Sequence, residues 1–190
     1  MRRRHFALPL LALLAGCGLL YAEVEIPSVT VTLPQQEFTG TPAGAPLVKE
    51  VAFDVGANLP FADQPDVSYE LRLTRLQVTI VSGSVMGDFG DIGSVTLTVL
   101  PPPGQTLPEE ATIAAYAKAV PPADQFPTTI SVAGYSNLDL APYVAGNTMT
   151  MKLTAVSLTG AAIPDWKADV GGEFYLKARV EYGDQLAKRP

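Results

Sequence analysis

The sequence predicts an all-β domain: an antiparallel two-sheet sandwich of about eight strands, Ig-like or jelly-roll, with Greek-key connections. Three observations lead there. Apolar residues recur at every second position in short runs, as they do in strands with one buried face. Proline and glycine, 17 and 16 of the 190 residues, separate those runs as turns do. No stretch sustains a long helical period, and many short strands punctuated in this way pack as two layers.

The strands follow in order from Pro27. Val29 to Leu33 alternates and stops at Pro34. Val51, Phe53 and Val55 alternate with Ala52 and Asp54. Val67, Tyr69, Leu71 and Leu73 share one face, and then Leu76, Val78 and Ile80 take over. That one-residue slip predicts a bulge near Thr74-Arg75, or a strand that changes sheets. Val95, Leu97 and Val99 form the next strand, closed by Pro101-Pro102-Pro103-Gly104. Ala111 to Ala119 reads two ways. Glu109-Glu110 before alanines suits a helix start, while Ile113, Ala115 and Ala117 alternate; the expectation is a strand. Thr129 to Ala133 is short and β-branched, and Thr148 to Thr159 places Met149, Met151, Leu153 and Ala155 together. Phe174 to Tyr182 alternates most clearly of all, and residues 183–190 form a polar tail. Asp139-Leu140-Ala141-Pro142-Tyr143 resembles the tyrosine corner of immunoglobulin domains, with Pro142 foreign to the pattern; the other reading is a proline turn with a packed tyrosine.

The start of the chain is of a different kind. A basic stretch, Arg2-Arg3-Arg4-His5, precedes an apolar run from Phe6 to Leu14, the layout of a secretion signal. Leu14-Ala15-Gly16-Cys17 follows and contains the only cysteine. These four residues resemble the lipobox of bacterial lipoproteins. The resemblance implies cleavage before Cys17, acylation of Cys17 and attachment to the bilayer through it. Gly18 and Leu19 stand where an aspartate directly after the cysteine favours inner-membrane retention in that family, so the resemblance implies the outer membrane. The expected organisation is a signal over 1–16, a short membrane-proximal tether over 17–26, a sandwich over 27–182 and the tail over 183–190. The alternative is an ordinary signal cut after Ala22, giving a soluble periplasmic or secreted protein. A retained signal anchor fits less well, because Pro9, Gly16 and Gly18 interrupt a stretch that barely reaches the ~17 residues of a spanning helix. Arg3-Arg4-His5-Phe6-Ala7-Leu8 also resembles a twin-arginine export motif, although Arg2 and the very apolar core favour general secretion.

Cleavage before Cys17 leaves 174 of 190 residues, enough for one substantial core. Thirteen Lys and Arg less the three arginines at 2–4, against nineteen acids, gives a side-chain charge of −9. Such a surface repels phosphate backbones, so no nucleic-acid partner is expected. The single histidine, His5, leaves with the signal, and Cys17 is acylated. Imidazole- and thiol-based catalysis, His or Cys metal sites and disulfides are thereby excluded from the mature domain.

The remaining candidates are sparse. Met86-Gly87-Asp88-Phe89-Gly90-Asp91 contains the kinase triplet without any kinase context. Asp88 and Asp91 on that glycine-rich loop are calcium candidates, with Asp63 and Asp66 on a second acidic loop; ordinary turn chemistry is the competing account. Trp166, placed in the loop before the last strand, is the candidate partner-binding residue, extended by Tyr135, Tyr143 and Tyr175 if all share a face; capping the core is its competing role. Glu109-Glu110 reads as a solvated turn. No catalytic residue and no cofactor is expected. The functional expectation is a lipid-anchored envelope protein, held to the bilayer through Cys17, that binds a protein or glycan partner without catalysis. The alternatives are a structural subunit of an envelope assembly and a hydrolase using Asp or Glu alone.

Overall fold

The computed structural model describes residues 21–56, 67–106, 108–118, 127–135 and 137–181. Eight strands form two four-stranded antiparallel sheets: β1 (Tyr21–Phe38), β2 (Leu47–Asp54), β3 (Val67–Ile80), β4 (Ile92–Val99), β5 (Ala111–Ala117), β6 (Thr129–Ala133), β7 (Thr148–Ser157) and β8 (Trp166–Glu181). One sheet has the order β1-β8-β3-β6 and the other β2-β7-β4-β5. The pairs β1·β8, β2·β7, β3·β6 and β4·β5 are those of one long hairpin folded at the β4–β5 turn. Consecutive strands other than β4 and β5 lie in opposite sheets, so that hairpin is rolled around the core. Two Greek keys wound in this way are a jelly roll. No α-helix occurs among the described residues.

The core follows from the alternation. β8 turns Trp166, Ala168, Val170, Phe174, Leu176 and Ala178 inward, facing Met149, Met151 and Leu153 of β7 and Val95, Leu97 and Val99 of β4. Phe53 and Phe174 meet edge to face across the layers, 6.3 Å between centroids. Ala111–Ala117 is strand, because its inward Ile113 and Ala114 are fully buried against the sandwich.

The slip in β3 is a bulge, and β3 stays in one sheet. Leu73 pairs with Phe174 and Arg75 with Glu173, which leaves Thr74 as the extra residue. Its hydroxyl donates to the Glu173 carbonyl at 2.9 Å, while its own carbonyl accepts from the Gly134 amide at 2.9 Å. A Cβ on Gly134 would lie 2.1 Å from the Leu73 carbonyl oxygen, so only glycine lets the chain pass the bulge this closely.

Two strand starts differ from the sequence expectation, and one open reading is decided. β1 begins at Tyr21, so residues 21–26 of the expected tether pair with Leu176–Glu181. Register shifts at Pro27-Ser28 and Pro34-Gln35 divide this strand, which is tolerable because β1 is a sheet edge. β8 begins at Trp166 rather than near Phe174. The Asp139–Tyr143 stretch is a proline turn: residues 141–143 form one 3-10 turn, and Asp139 Oδ1 accepts from the Leu71 and Ala141 amides. The buried Tyr143 hydroxyl donates to the Glu109 carbonyl at 2.7 Å, far from the local backbone bond of an immunoglobulin corner. Asp63, Asp66, residues 1–20 and residues 183–190 lie outside the described residues.

Candidate functional site

Trp166 is not a surface platform. It is 2% exposed, stacked on Phe38 with centroids 3.9 Å apart and met edge-on by Phe89 at 5.5 Å. The expectation of a partner-binding tryptophan is corrected: alternation along β8 points its ring into the core. Tyr143 is buried as well, so Tyr135, Tyr143 and Tyr175 do not assemble an exposed aromatic face. Trp166 does contribute to the wall of a shallow hollow of about 260 Å³ with Phe38, Ser84, Val85 and Lys167, and its buried indole nitrogen has no hydrogen-bond partner among the described residues.

Asp88 braces its own turn through its side chain, and Asp91 ties the loop to the residue after β7 through its backbone. Asp88 Oδ1 accepts from the Gly90 amide at 2.7 Å, and the Asp91 carbonyl accepts from the Leu158 amide at 2.7 Å. Among the described residues, no three His, Cys, Asp or Glu side chains gather in a way that would hold a metal ion. Glu110 is paired with Lys152, and Glu109 contributes its carbonyl to Tyr143.

The best-formed concavity is one that no sequence motif marked. Where the odd-numbered residues of β8 face outward, they form the middle column of a regular grid. Glu173 stands between Thr30 of β1 and Arg75 of β3, and Gly171 between Thr32 and Gln77. Asp169 stands beside Thr79, and on its β1 side lies the Pro34-Gln35 bulge. Every position around the centre carries a polar side chain or the bulge, while the centre, Gly171, carries none. The result is a hollow of about 320 Å³ floored by Gly171 and Gly172. That lies at the lower end of the ~300–1,000 Å³ typical of small-ligand sites.

Local bonds hold its rim. Gln35, with φ at 50°, turns its amide toward Asp169 Oδ1 at 2.8 Å. Gln77 Nε2 lies 3.4 Å from the Thr79 hydroxyl, which meets the Thr129 hydroxyl at 3.1 Å. Arg75 faces Glu173 with nitrogen and oxygen 3.8 Å apart, both well exposed and worth little as a pair. Farther along the same outer face, nearer Tyr21, Lys177 is bracketed by Glu23 at 3.2 Å and Glu25 at 3.6 Å. Its hydrogen bond to Glu23 pushes the Lys177 ammonium above its ordinary range.

The side chains around the hollow are mostly neutral and polar, with two acids and one base among them. Asp169 and Glu173 are four residues apart on one strand face, so their backbones are separated by about 13 Å. Asp169 Oδ1 accepts from the Gln35 backbone amide, which orients the carboxylate and leaves Oδ2 facing the hollow's rim. The threonine hydroxyls and the Gln77 amide can both donate and accept, which is the chemistry of a polar ligand cradle.

No family model matches the chain. No curated protein matches it either. Among solved structures it is similar to a mutant of the unassembled Washington University polyomavirus VP1 pentamer, at 10% identity, over 88% of this chain and 97% of that one. The TM-score is 0.25, too low to carry an inference, and the strand order alone assigns the jelly roll.

Proposed function

We propose that the protein is a bacterial envelope lipoprotein, anchored by acyl chains on Cys17, whose jelly roll binds a protein or glycan partner without catalysis. The observation that carries this reading is the placement of the only cysteine directly after Leu14-Ala15-Gly16, behind a basic and then apolar leader. Two or more acyl chains suffice energetically, at about 0.8 kcal/mol per buried methylene. The fold is compatible with a short anchor. β1 begins four residues after Cys17, a span of at most about 14 Å of extended chain. Tyr21 and Val24 are exposed at that end, with Arg179 over the Tyr21 ring at 4.1 Å, and an amphipathic tyrosine suits the bilayer interface. Gly18 and Leu19 favour the outer membrane.

The test is Cys17→Ser in a Gram-negative host. The reading expects accumulation of uncleaved precursor and loss of the mature species from the outer-membrane fraction. Normal maturation of Cys17→Ser to a soluble chain would overturn it in favour of an ordinary secretory signal.

A further inference from the structure

Gly171 poses a problem that the fold does not solve. A glycine inside a strand weakens it and needs a reason: a positive φ, a bulge, or close approach of another group. Gly171 has none of these from its own chain. It is not among the glycines with positive φ, and it pairs in register with Thr32 and Gln77, the nearest bulges facing Asp169 on one side and the Glu173–Phe174 step on the other. A Cβ placed there would meet nothing nearer than the Thr32 hydroxyl at 3.7 Å. Its neighbour shows what a structural glycine looks like: a Cβ on Gly172 would lie 2.6 Å from the Phe174 ring. What the missing side chain at Gly171 does accomplish is to keep the centre of the polar grid open.

We infer that the hollow over Gly171 is a binding site for a neutral, hydroxyl-rich ligand, a saccharide unit of an envelope glycan. This deepens the proposed function and rests on its reading of the domain as a binder. The lining decides the ligand class. Thr30, Thr32, Gln77 and Thr79 offer groups that both donate and accept, as a ring of alternating hydroxyls requires. Asp169 presents a carboxylate that accepts from hydroxyls. Against Arg75, the two acids Asp169 and Glu173 leave one net negative charge, which disfavours phosphate or carboxylate ligands. The glycine floor and threonine methyl groups supply apolar contact for the C–H face of a sugar ring. The site is also remote from the proposed anchor. Thr30 is nine residues along β1 from Tyr21, about 30 Å of strand. A sheet standing on its Tyr21 end therefore holds the hollow beyond lipid headgroups.

The test uses the full chain in a non-glycosidic detergent and saturation-transfer NMR. The probes are glucose, galactose, mannose, N-acetylglucosamine and their β1,4-linked disaccharides. Ring protons of at least one should receive saturation from the protein. Gly171→Val fills the hollow from its floor and should weaken that binding by about tenfold or more, with an unchanged or raised Tm. Gly171→Ala should weaken it less, and decides the matter if the valine variant folds poorly. Thr32→Val keeps the shape, removes one hydroxyl and should also weaken binding. Undiminished binding in Gly171→Ala and Gly171→Val, or no saturation of any probe by the wild type, overturns the inference. Acylation of Cys17 is scored in parallel by mass. A normally acylated protein that binds no probe sinks the saccharide site alone, and an unacylated one that binds sinks the anchor alone.

Discussion

At the scale of single residues, Trp166 and Tyr143 are the two large polar-tipped side chains whose roles the environment decides. Trp166 is enclosed by Phe38 and Phe89, so Trp166→Ala should cost about 3–5 kcal/mol, read as a lower urea midpoint. A partner-binding tryptophan on the surface would leave the midpoint nearly unchanged. Tyr143 donates to the Glu109 carbonyl from a buried position, and burial, reinforced by the Glu109 charge, pushes its phenol above the ordinary tyrosine range near 10. The folded state therefore holds this proton more tightly than the unfolded chain does. The associated stability is fully present below pH ~10 and is lost as pH rises through the higher folded value. Tyr143→Phe should cost about 1 kcal/mol near neutrality, and the gap to wild type in urea unfolding should narrow above pH ~10. A gap that widens there would contradict the assigned burial. Trp166 was illegible in sequence because Pro164 and Asp165 before it read as a turn. The residues that continue its pattern, Ala168 and Val170, are cut off from Phe174 by two glycines.

At the scale of elements, legibility follows how well each strand keeps its alternation. β6 and the core of β7 were readable to within a residue or two, and the β3 slip located the irregularity near Thr74-Arg75 while leaving bulge or change of sheet to be decided by the pairing. β1 and β8 were truncated in the sequence reading for one physical reason each. Prolines at 27 and 34 look like strand ends, yet on a sheet edge they are absorbed as bulges. Gly171-Gly172 erases the period in the middle of β8. The same erasure hid the candidate site, whose grid is assembled from three strands and whose centre is marked by an absent side chain. The early start of β1 has a measurable consequence. A chain beginning at Tyr21 should unfold at higher urea than one beginning at Pro27, because only the former keeps the Tyr21–Ile26 pairing that covers Leu176–Glu181. Equal midpoints would mean that the first six residues of β1 contribute nothing to the sheet.

At the scale of the whole molecule, the rolled-hairpin topology runs a single strand, β1, from the end nearest the proposed anchor to the hollow. β1 carries Tyr21 at one end and Thr30 and Thr32 in its middle, and β8 runs beside it through Gly171. The sandwich itself was legible because composition, punctuation and period all agreed. The choice between Ig-like and jelly-roll was not, since it depends on which distant strands pair. In the proposed function this jelly roll hangs from the bilayer by its first mature residue, Cys17. Intact-mass measurement of the protein extracted from the membrane fraction tests it most directly. Acylated protein should start at Cys17 and carry the acyl increment on that residue; an unmodified chain starting at Glu23 would show instead an ordinary signal cut after Ala22.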